Sequence, residues 1–326
     1  MRYTTLGRSS ERVSVIAVGT WQIGSREWGW GRGYGEEEVI QAIRRSIELG
    51  VNLIDTAEIY GGGRSEEVVG RAIKGMRDSV LIATKVWPTH ATYDGTIKAC
   101  ERSLKRLGVD VIDLYQVHWP NPFVPISSTM RAMDRLLREG KIRYVGVSNF
   151  PPRLLAKAQE HLRSAEIVSN QVKYNLLERG AAESNFRAFG ERVTVLAYSP
   201  LAQGLLTGKY SAVNRPRDLV RSINRLFDGT NLRRVEPLLE RMRELARKYG
   251  CEVSQIALRA LVERDKVVAI AGVKTPQQAE LNAHSADVPL TPGEVEELFG
   301  IARGIKLEGF VSIMRTPLRV ISALTA

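Results

Sequence analysis

Apolar positions follow two spacings that alternate along the chain. Segments such as VLIATKV and VVAIAGVK are short and largely apolar, which is typical of strands buried in a parallel sheet. Between such segments lie stretches such as EEEVIQAIRRSIELG, whose residues Val39, Ile40, Ile43 and Ile47 recur at helical spacing before Gly50. The alternation predicts parallel βαβ units.

Eight apolar segments alternate with helices when they are counted from SVIAVG, and eight βα units predict a closed (β/α)8 TIM barrel. An alternating piece that turns at Leu6 predicts an N-terminal β-hairpin, followed by a strand from about Val13 to Thr20. TPGEVEELFGIARG predicts an extra C-terminal helix. The alternative is an open doubly wound sheet, which would normally carry a GxGxxG fingerprint after its first strand, and the sequence has none there.

No linker or shift in composition divides the 326 residues. We therefore expect a single barrel domain over residues 1–326, with no element assigned to the tail from about residue 305. The composition, 44% hydrophobic and 25% charged, is ordinary for a soluble globular protein. The chain has no apolar run long enough to span a membrane and no segment of signal-peptide type at its start, so a cytoplasmic location is expected.

The net charge of +11 raises the question of a nucleic-acid partner. Lys and Arg are spread over the predicted helices with acids between them, as in ERMRELARKYG, and no basic tract with interleaved aromatic residues occurs. We expect neither a nucleic-acid nor a membrane partner, although the charge would attract a phosphorylated cofactor. The oligomeric state is left open by the sequence.

Chemistry-bearing residues collect at the ends of three successive predicted strands. Asp55 and Tyr60 follow the second strand, Lys85 ends the next, and His118 ends the one after. Each alone has an ordinary explanation, since such an Asp is often a helix cap and such a Lys a surface charge. The carboxyl ends of barrel strands meet at one mouth, where active sites lie, so the four together predict a catalytic site.

The four residue types suit proton transfer. A lysine ammonium favours the phenolate, so Lys85 is expected to lower the pKa of Tyr60, and a buried Asp55 would keep that lysine charged. Tyr60 would then be a proton donor, and His118 could hydrogen-bond a carbonyl oxygen on which negative charge develops. No metal is expected, because one His and one Asp are too few ligands.

Several longer motifs carry a family resemblance. They are GVNLIDTAEIYGGGRSEEVVG, LIATKV, LGVDVIDLYQVHWP, EGKIRYVGVSNF, NQVKYNLLER, AYSPLAQGLLTGKY and IAGVKTPQQAELN. The chain resembles the aldo-keto reductase family from about Leu6 to Gly304. The motifs GVSNF, SPLAQGLLTGKY and GVKTPQQ resemble the bacterial and potassium-channel-β-like branches more than the aldose-reductase branch. The resemblance implies a (β/α)8 barrel that binds NADP(H) without a Rossmann motif, with Tyr60 as general acid, Lys85 and Asp55 tuning it, and His118 orienting the carbonyl.

The resemblance also implies a set of cofactor contacts. The nicotinamide carboxamide would be held by Ser148, Asn149 and Gln171, and Tyr198 would stack on the ring. The pyrophosphate path would be lined by Ser199, Leu201, Gly204 and Leu206. The adenosine and its 2′-phosphate would be held by Gly272, Lys274, Thr275, Gln278 and Asn282. The Lys274 charge favours NADP over NAD.

Substrate contacts are expected from tryptophans at or just beyond strand ends, namely Trp21, Trp87 and Trp119. They suggest an aldehyde or ketone with some apolar bulk, such as a sugar-like one. Three function classes stay open: an NADPH-dependent reductase of aldehydes or ketones, an NADPH-binding regulatory module with slow turnover, and a Schiff-base barrel enzyme that uses Lys85 as nucleophile.

Overall fold

The computed structural model describes residues 1–216 and 218–309. Within them, eight parallel strands form a closed barrel in which each strand pairs with the next along the chain and the last pairs with the first, and a separate two-stranded hairpin precedes it. The hairpin strands are β1 (Tyr3–Thr5) and β2 (Arg12–Ser14). The barrel strands are β3 (Ile16–Gly19), β4 (Leu53–Asp55), β5 (Leu81–Val86), β6 (Ile112–Val117), β7 (Ile142–Ser148), β8 (Ile167–Lys173), β9 (Thr194–Tyr198) and β10 (Val267–Gly272).

Helices cover the outside of the barrel. They are α1 (Glu36–Glu48), α2 (Arg64–Ala72), α3 (Tyr93–Leu107), α4 (Ile126–Arg138), α5 (Pro152–His161), α6 (Gly180–Phe189), the short α7 (Leu219–Ser222), α8 (Gly229–Tyr249), α9 (Val253–Leu261), α10 (Pro276–His284) and α11 (Pro292–Gly304). The predicted TIM barrel, the hairpin and the extra C-terminal helix α11 are confirmed. None of the helices in the described part of the chain is long and apolar enough to cross a membrane.

The predicted strand from Val13 to Thr20 is wrong, because two strands meet there. Val13 pairs with Thr4 in the antiparallel hairpin, whereas Val18 pairs in parallel with Ile54 in the barrel. Val15 lies between the two strands, and its N–H donates to the carbonyl of Arg2. The chain therefore leaves one sheet and enters the other within the run Val13 to Val18, which is apolar except for Ser14.

The barrel interior is apolar towards the N-terminal ends of the strands and polar towards their C-terminal ends. Leu53, Leu81, Leu114 and Leu196 belong to one buried cluster, which also includes Leu6 of the hairpin. The hairpin thus packs against the N-terminal end of the barrel. Side chains alternate across a strand, so inward positions further along each strand lie towards the C-terminal mouth. Polar residues stand at such positions on three strands: Asp55 on β4, Lys85 on β5 and Gln116 on β6.

Candidate active site

A glycine-rich turn places Tyr60 beside the barrel mouth. Tyr60 begins a 3₁₀ turn that runs to Gly63, and Gly61, Gly62 and Gly63 have φ values of 55°, 61° and 97°. A Cβ on Gly61 would lie 2.8 Å from the carbonyl oxygen of Ile23. Both the left-handed backbone and the close approach require glycine here. The turn therefore fixes the position of Tyr60 relative to the end of β4.

Lys85 is the centre of the site, and its side chain is fully buried. Its Nζ lies 2.6 Å from Asp55 Oδ1, 2.7 Å from the carbonyl oxygen of Thr56 and 3.1 Å from Tyr60 Oη. An ammonium has three N–H donors, and these contacts account for all three. Burial alone would lower the pKa of Lys85, but the charge of Asp55 and the contact with Tyr60 outweigh it and raise that pKa.

Asp55 is satisfied on both oxygens. Oδ1 accepts from Lys85, while Oδ2 accepts from Gln171 Nε2 at 2.7 Å and from Gln116 Nε2 at 3.2 Å. The residue is only 3% exposed. A buried carboxylate of this kind is tolerated because its charge is paired and its lone pairs are hydrogen-bonded.

The expected lowering of the Tyr60 pKa is wrong for this structure. Burial raises the pKa of the Tyr60 phenol, Lys85 lowers it, and Asp55 raises it again, so the net direction is upward. The ammonium lies only 4.7 Å from the centre of the Tyr60 ring, yet desolvation of the phenolate is the larger effect. Tyr60 is therefore protonated at neutral pH, which suits a proton donor.

His118 directly follows β6 and lies against two aromatic rings. Its ring is edge-on to Tyr60 at 5.6 Å and to Trp87 at 5.1 Å between ring centres. Burial, together with the positive charge of Lys85, holds the pKa of His118 well below its usual value, so the imidazole is neutral at pH 7. Its Nδ1 is buried without a hydrogen-bond partner among the described residues.

The predicted carboxamide and ring contacts do come together next to this cluster. Asn149 Nδ2 donates to the carbonyl of His118 at 3.3 Å, and Tyr198 Oη donates to Asn149 Oδ1 at 3.1 Å. Ser148 Oγ donates to the carbonyl of Gln171 at 2.9 Å. Asn149 has φ 60°, a left-handed conformation that is uncommon for a residue with a side chain and clusters at functional sites.

The predicted pyrophosphate residues follow β9 in an unusual backbone. Ser199 has φ 52°, and the 3₁₀ segment Ala202–Thr207 contains a left-handed Gln203 and Gly204. Leu206 is fully buried, and its backbone N–H donates to the carbonyl of Leu201. The segment therefore turns sharply at the barrel mouth, as a backbone that wraps a ligand would.

The predicted adenosine contacts lie where β10 leads into α10. Thr275 caps α10, with its hydroxyl accepting from the N–H of Gln278, and Gln278 Oε1 accepts from the N–H of Lys274 at 2.9 Å. Asn282 Nδ2 donates to the carbonyl of Gly272 at 3.3 Å. The structure thus brings Gly272, Lys274, Thr275 and Gln278 to the N-terminus of α10, and the side chain of Asn282, further along the helix, reaches Gly272.

Lys274 belongs to a cluster of cations. Its Nζ donates to the carbonyl of Trp28 at 2.6 Å, and Arg221 lies 4.7 Å above the ring of Trp28. Burial and the nearby charges of Arg221 and Lys209 lower the pKa of Lys274. Cations that repel one another beside a helix N-terminus are a donor set that fits a phosphate group.

The three predicted substrate tryptophans differ in exposure. Trp87 is half-buried against His118, whereas Trp21 is 44% exposed and Trp119 is 43% exposed. Trp21 also contacts Trp28, with 5.2 Å between ring centres. Two exposed indoles and a third beside His118 are consistent with apolar walls at an open mouth.

Three residues of the site were missed in the sequence. Gln116 lies two residues before His118, so strand periodicity could have found it. Glu58 lies within DTAEIYG, and its buried Oε1 accepts the N–H of Trp87 at 2.6 Å. Arg221 lies in the long polar segment before α8, where no periodicity marks it.

Fold and site together define a class: a (β/α)8 barrel in which a tyrosine, a lysine, an aspartate and a histidine meet at the strand ends. The family model of the Aldo/keto reductase family matches residues 15–303. The chain belongs to this family of oxidoreductases, which act on carbonyl groups.

Relatives cover nearly the whole chain. An uncharacterized oxidoreductase of Mycobacterium tuberculosis is 44% identical over 90% of this chain and 91% of its own length. The aldo-keto reductase YhdN of Bacillus subtilis is 37% identical over 86% and 87%. An NADH-specific methylglyoxal reductase of Escherichia coli is 29% identical over 94% and 100%.

Solved structures show the same fold. The glycerol dehydrogenase of Gluconobacter oxydans superposes with a TM-score of 0.83 at 30% identity, covering 95% of this chain and 98% of its own. An aldo/keto reductase of Klebsiella pneumoniae in complex with NADP and acetate has a TM-score of 0.72 at 29% identity and covers 95% and 100%.

Proposed function

We propose that the protein reduces an aldehyde or ketone to an alcohol with NADPH, with Tyr60 as the general acid. The observation that carries this proposal is the position of Lys85, whose buried ammonium contacts both Asp55 and Tyr60 Oη. A charged lysine that donates to a phenol oxygen stabilises that oxygen as it gives up its proton. The membership of the family supports this reading.

The chain's own residues account for the proton and the carbonyl oxygen. NADPH, when bound, supplies a hydride to the carbonyl carbon. Tyr60 donates its proton to the carbonyl oxygen, and Lys85 stabilises the phenolate that remains. His118 is neutral and can give that oxygen a hydrogen bond, which is worth most in a buried site with little water. Trp87, beside His118, would contact an apolar part of the substrate.

A phosphorylated cofactor fits the residues present. Lys274, Arg221 and Lys209 supply the positive charge, and the N-terminus of α10 adds backbone N–H donors. Asn149, Gln171 and Tyr198 would face the nicotinamide. The NADP complex of the Klebsiella relative supports NADPH, while the NADH-specific relative makes NADH the natural competitor to test.

The two other function classes receive less support. A Schiff base forms from a neutral amine, and Lys85 is held charged by Asp55 in a site that occupies all three of its N–H groups. A regulatory module would need no aligned proton donor, yet Tyr60, Lys85 and Asp55 are joined by hydrogen bonds. Turnover separates these classes.

The experiment is NADPH oxidation followed at 340 nm with 4-nitrobenzaldehyde, for wild type and Tyr60→Phe. Loss of the general acid is expected to lower kcat about 100-fold or more, while NADPH binding, read from cofactor fluorescence, stays within about twofold. Tyr3→Phe is the matched control, because Tyr3 lies in the hairpin at the other end of the barrel.

Each outcome has a meaning. Wild-type turnover that is lost only in Tyr60→Phe supports the proposal. Tight NADPH binding without turnover in wild type favours the regulatory module instead. Absence of NADPH binding, with borohydride trapping of a carbonyl on Lys85, would revive the Schiff-base reading.

Cofactor choice has its own test in Lys274→Met. Removing the cation from the proposed 2′-phosphate site should raise KM for NADPH about tenfold while KM for NADH changes less than twofold, since only NADPH carries that phosphate. Lys98→Met, which changes an exposed lysine of α3, is the control. Equal effects on both cofactors would contradict the assignment of Lys274.

A further inference from the structure

Gln116 is a fully buried amide directly below the candidate active site. It lies on β6, two residues after Leu114 of the apolar interior and two before His118. Alternation along the strand places all three on the inward face. A fully buried polar side chain among apolar strands is costly unless its groups are paired, so its contacts should explain its presence.

Those contacts lead to Asp55. Gln116 Nε2 donates to Asp55 Oδ2 at 3.2 Å, and Gln116 Oε1 accepts from Gln171 Nε2 at 3.4 Å. Gln171 Nε2 also donates to the same carboxylate oxygen at 2.7 Å. The two amides thus hold the side of Asp55 that faces away from Lys85.

The neighbouring strand leaves room for this arrangement. Gln116 pairs with Gly146 of β7, and a Cβ on Gly146 would lie 3.0 Å from Gln116 Cγ and 2.5 Å from Ser169 Oγ. Gly146 does not have a positive φ, so its backbone does not require glycine. What requires glycine is the space that the Gln116 and Ser169 side chains take inside the barrel.

We propose that Gln116 is a positioning residue for the reaction: it holds Asp55 Oδ2 and so keeps the ion pair with Lys85 directed at Tyr60. This inference rests on the proposed function. Gln116 makes no hydrogen bond to Lys85 or Tyr60 in the described structure. It contacts Asp55 directly and also through Gln171, which donates to the same carboxylate oxygen.

The direction of its effect follows from hydrogen bonding. A carboxylate that loses a donor becomes a stronger base and holds the Lys85 proton more tightly. Lys85 then stabilises the Tyr60 phenolate less. The groups that face the Tyr60 hydroxyl are Lys85 from β5, Asp55 from β4 and His118 after β6, with Tyr198 of β9 also nearby.

The test is the pH dependence of alcohol oxidation with NADP⁺ and 4-nitrobenzyl alcohol, because this direction requires Tyr60 as phenolate. In Gln116→Met, which keeps a similar side-chain volume without the donor, the rising limb of kcat/KM should move to higher pH by about 0.5 to 1 unit. We expect kcat to fall about tenfold and KM to stay within about twofold.

Two further variants make the result specific. Tyr115→Phe changes the preceding residue of β6, whose buried hydroxyl has no partner among the described residues, and should leave the rising limb of the pH profile where it is. Gly146→Ala should push Gln116 away from its place and move the limb in the same direction as Gln116→Met, by a smaller amount.

If the rising limb of kcat/KM in Gln116→Met stays at the wild-type pH, the inference is overturned. An unmoved limb together with a lower Tm would assign Gln116 a purely structural role. Failure of the proposed function looks different. It would appear as no turnover in wild type, or as full activity in Tyr60→Phe, whatever Gln116→Met does.

Discussion

Two buried aspartates lie towards opposite ends of the same barrel, and their charges are neutralised in different ways. Asp55 ends β4 at the mouth, and its only cationic partner among the described residues is Lys85 at 2.6 Å. Asp113 lies near the start of β6, towards the hairpin end, with Arg77 at 2.7 Å and Arg143 at 2.9 Å. Both aspartates are almost fully buried.

The difference lies in the partners. The side chains of Arg77 and Arg143 are 31% and 46% exposed, so water shares their charge, and an arginine does not release its proton in a protein. Lys85 is fully buried and also contacts Tyr60, so a change at Asp55 reaches a group that can transfer a proton. Function at the carboxyl ends of barrel strands and stability at the other end is the usual division in this fold.

The largest expected effect comes from Lys85→Met. It leaves Asp55 as a buried charge without a cation, which should cost about 3 to 5 kcal/mol of unfolding free energy and lower kcat at least about 100-fold. Urea denaturation and NADPH oxidation measure the two quantities. Arg143→Met is the matched change at the other aspartate. Arg143 is half-exposed and Arg77 remains, so a cost below about 1 kcal/mol with unchanged kcat is expected. Similar losses in both variants would remove the contrast.

A smaller effect is expected from Asp113→Asn. The amide can still accept the backbone N–H of Ile82, which lies 2.8 Å from the Asp113 carboxylate, but it no longer pairs with Arg77 and Arg143. Because both arginines can turn to water, we expect a loss of about 1 to 2 kcal/mol in urea denaturation and no change in kcat per folded molecule. Asp55→Asn is the comparison, and it should lower kcat strongly. A kcat for Asp113→Asn that falls as far as that of Asp55→Asn would contradict the division between the two ends.

Sequence periodicity was enough for the barrel and for the four mouth residues, because both depend on where strands end. It was not enough where packing decides. The stretch VEPLLERMRELARKYG predicts a helix that starts at Val235, near Pro237. In the structure α8 begins at Gly229, because the Asp228 side chain caps it there, and Pro237 lies inside the helix. The sequence also could not predict whether the pKa of Tyr60 is raised or lowered, because that depends on how much water the folded barrel mouth excludes. The role of Gln116 depends on space left by Gly146, a contact between strands that spacing does not reveal.

The finest test of the mouth is an absence of titration at neutral pH. Burial and the charge of Lys85 hold the pKa of His118 well below its usual value, and burial, which outweighs Lys85, raises the pKa of Tyr60 above its usual value. In the pH range between these two pKa values His118 is neutral and Tyr60 is protonated. We therefore expect kcat/KM for carbonyl reduction to be flat within about twofold from pH 6.5 to 9.5. Burial at the barrel mouth determines both pKa values. Asp113→Asn, at the other end of the barrel, should therefore leave the pH profile as flat as in wild type. A limb in the wild-type profile between pH 7 and 9 would show instead that the Lys85 charge affects the pKa of Tyr60 more than burial does. A limb that appears only in Asp113→Asn would show that the two ends of the barrel are coupled.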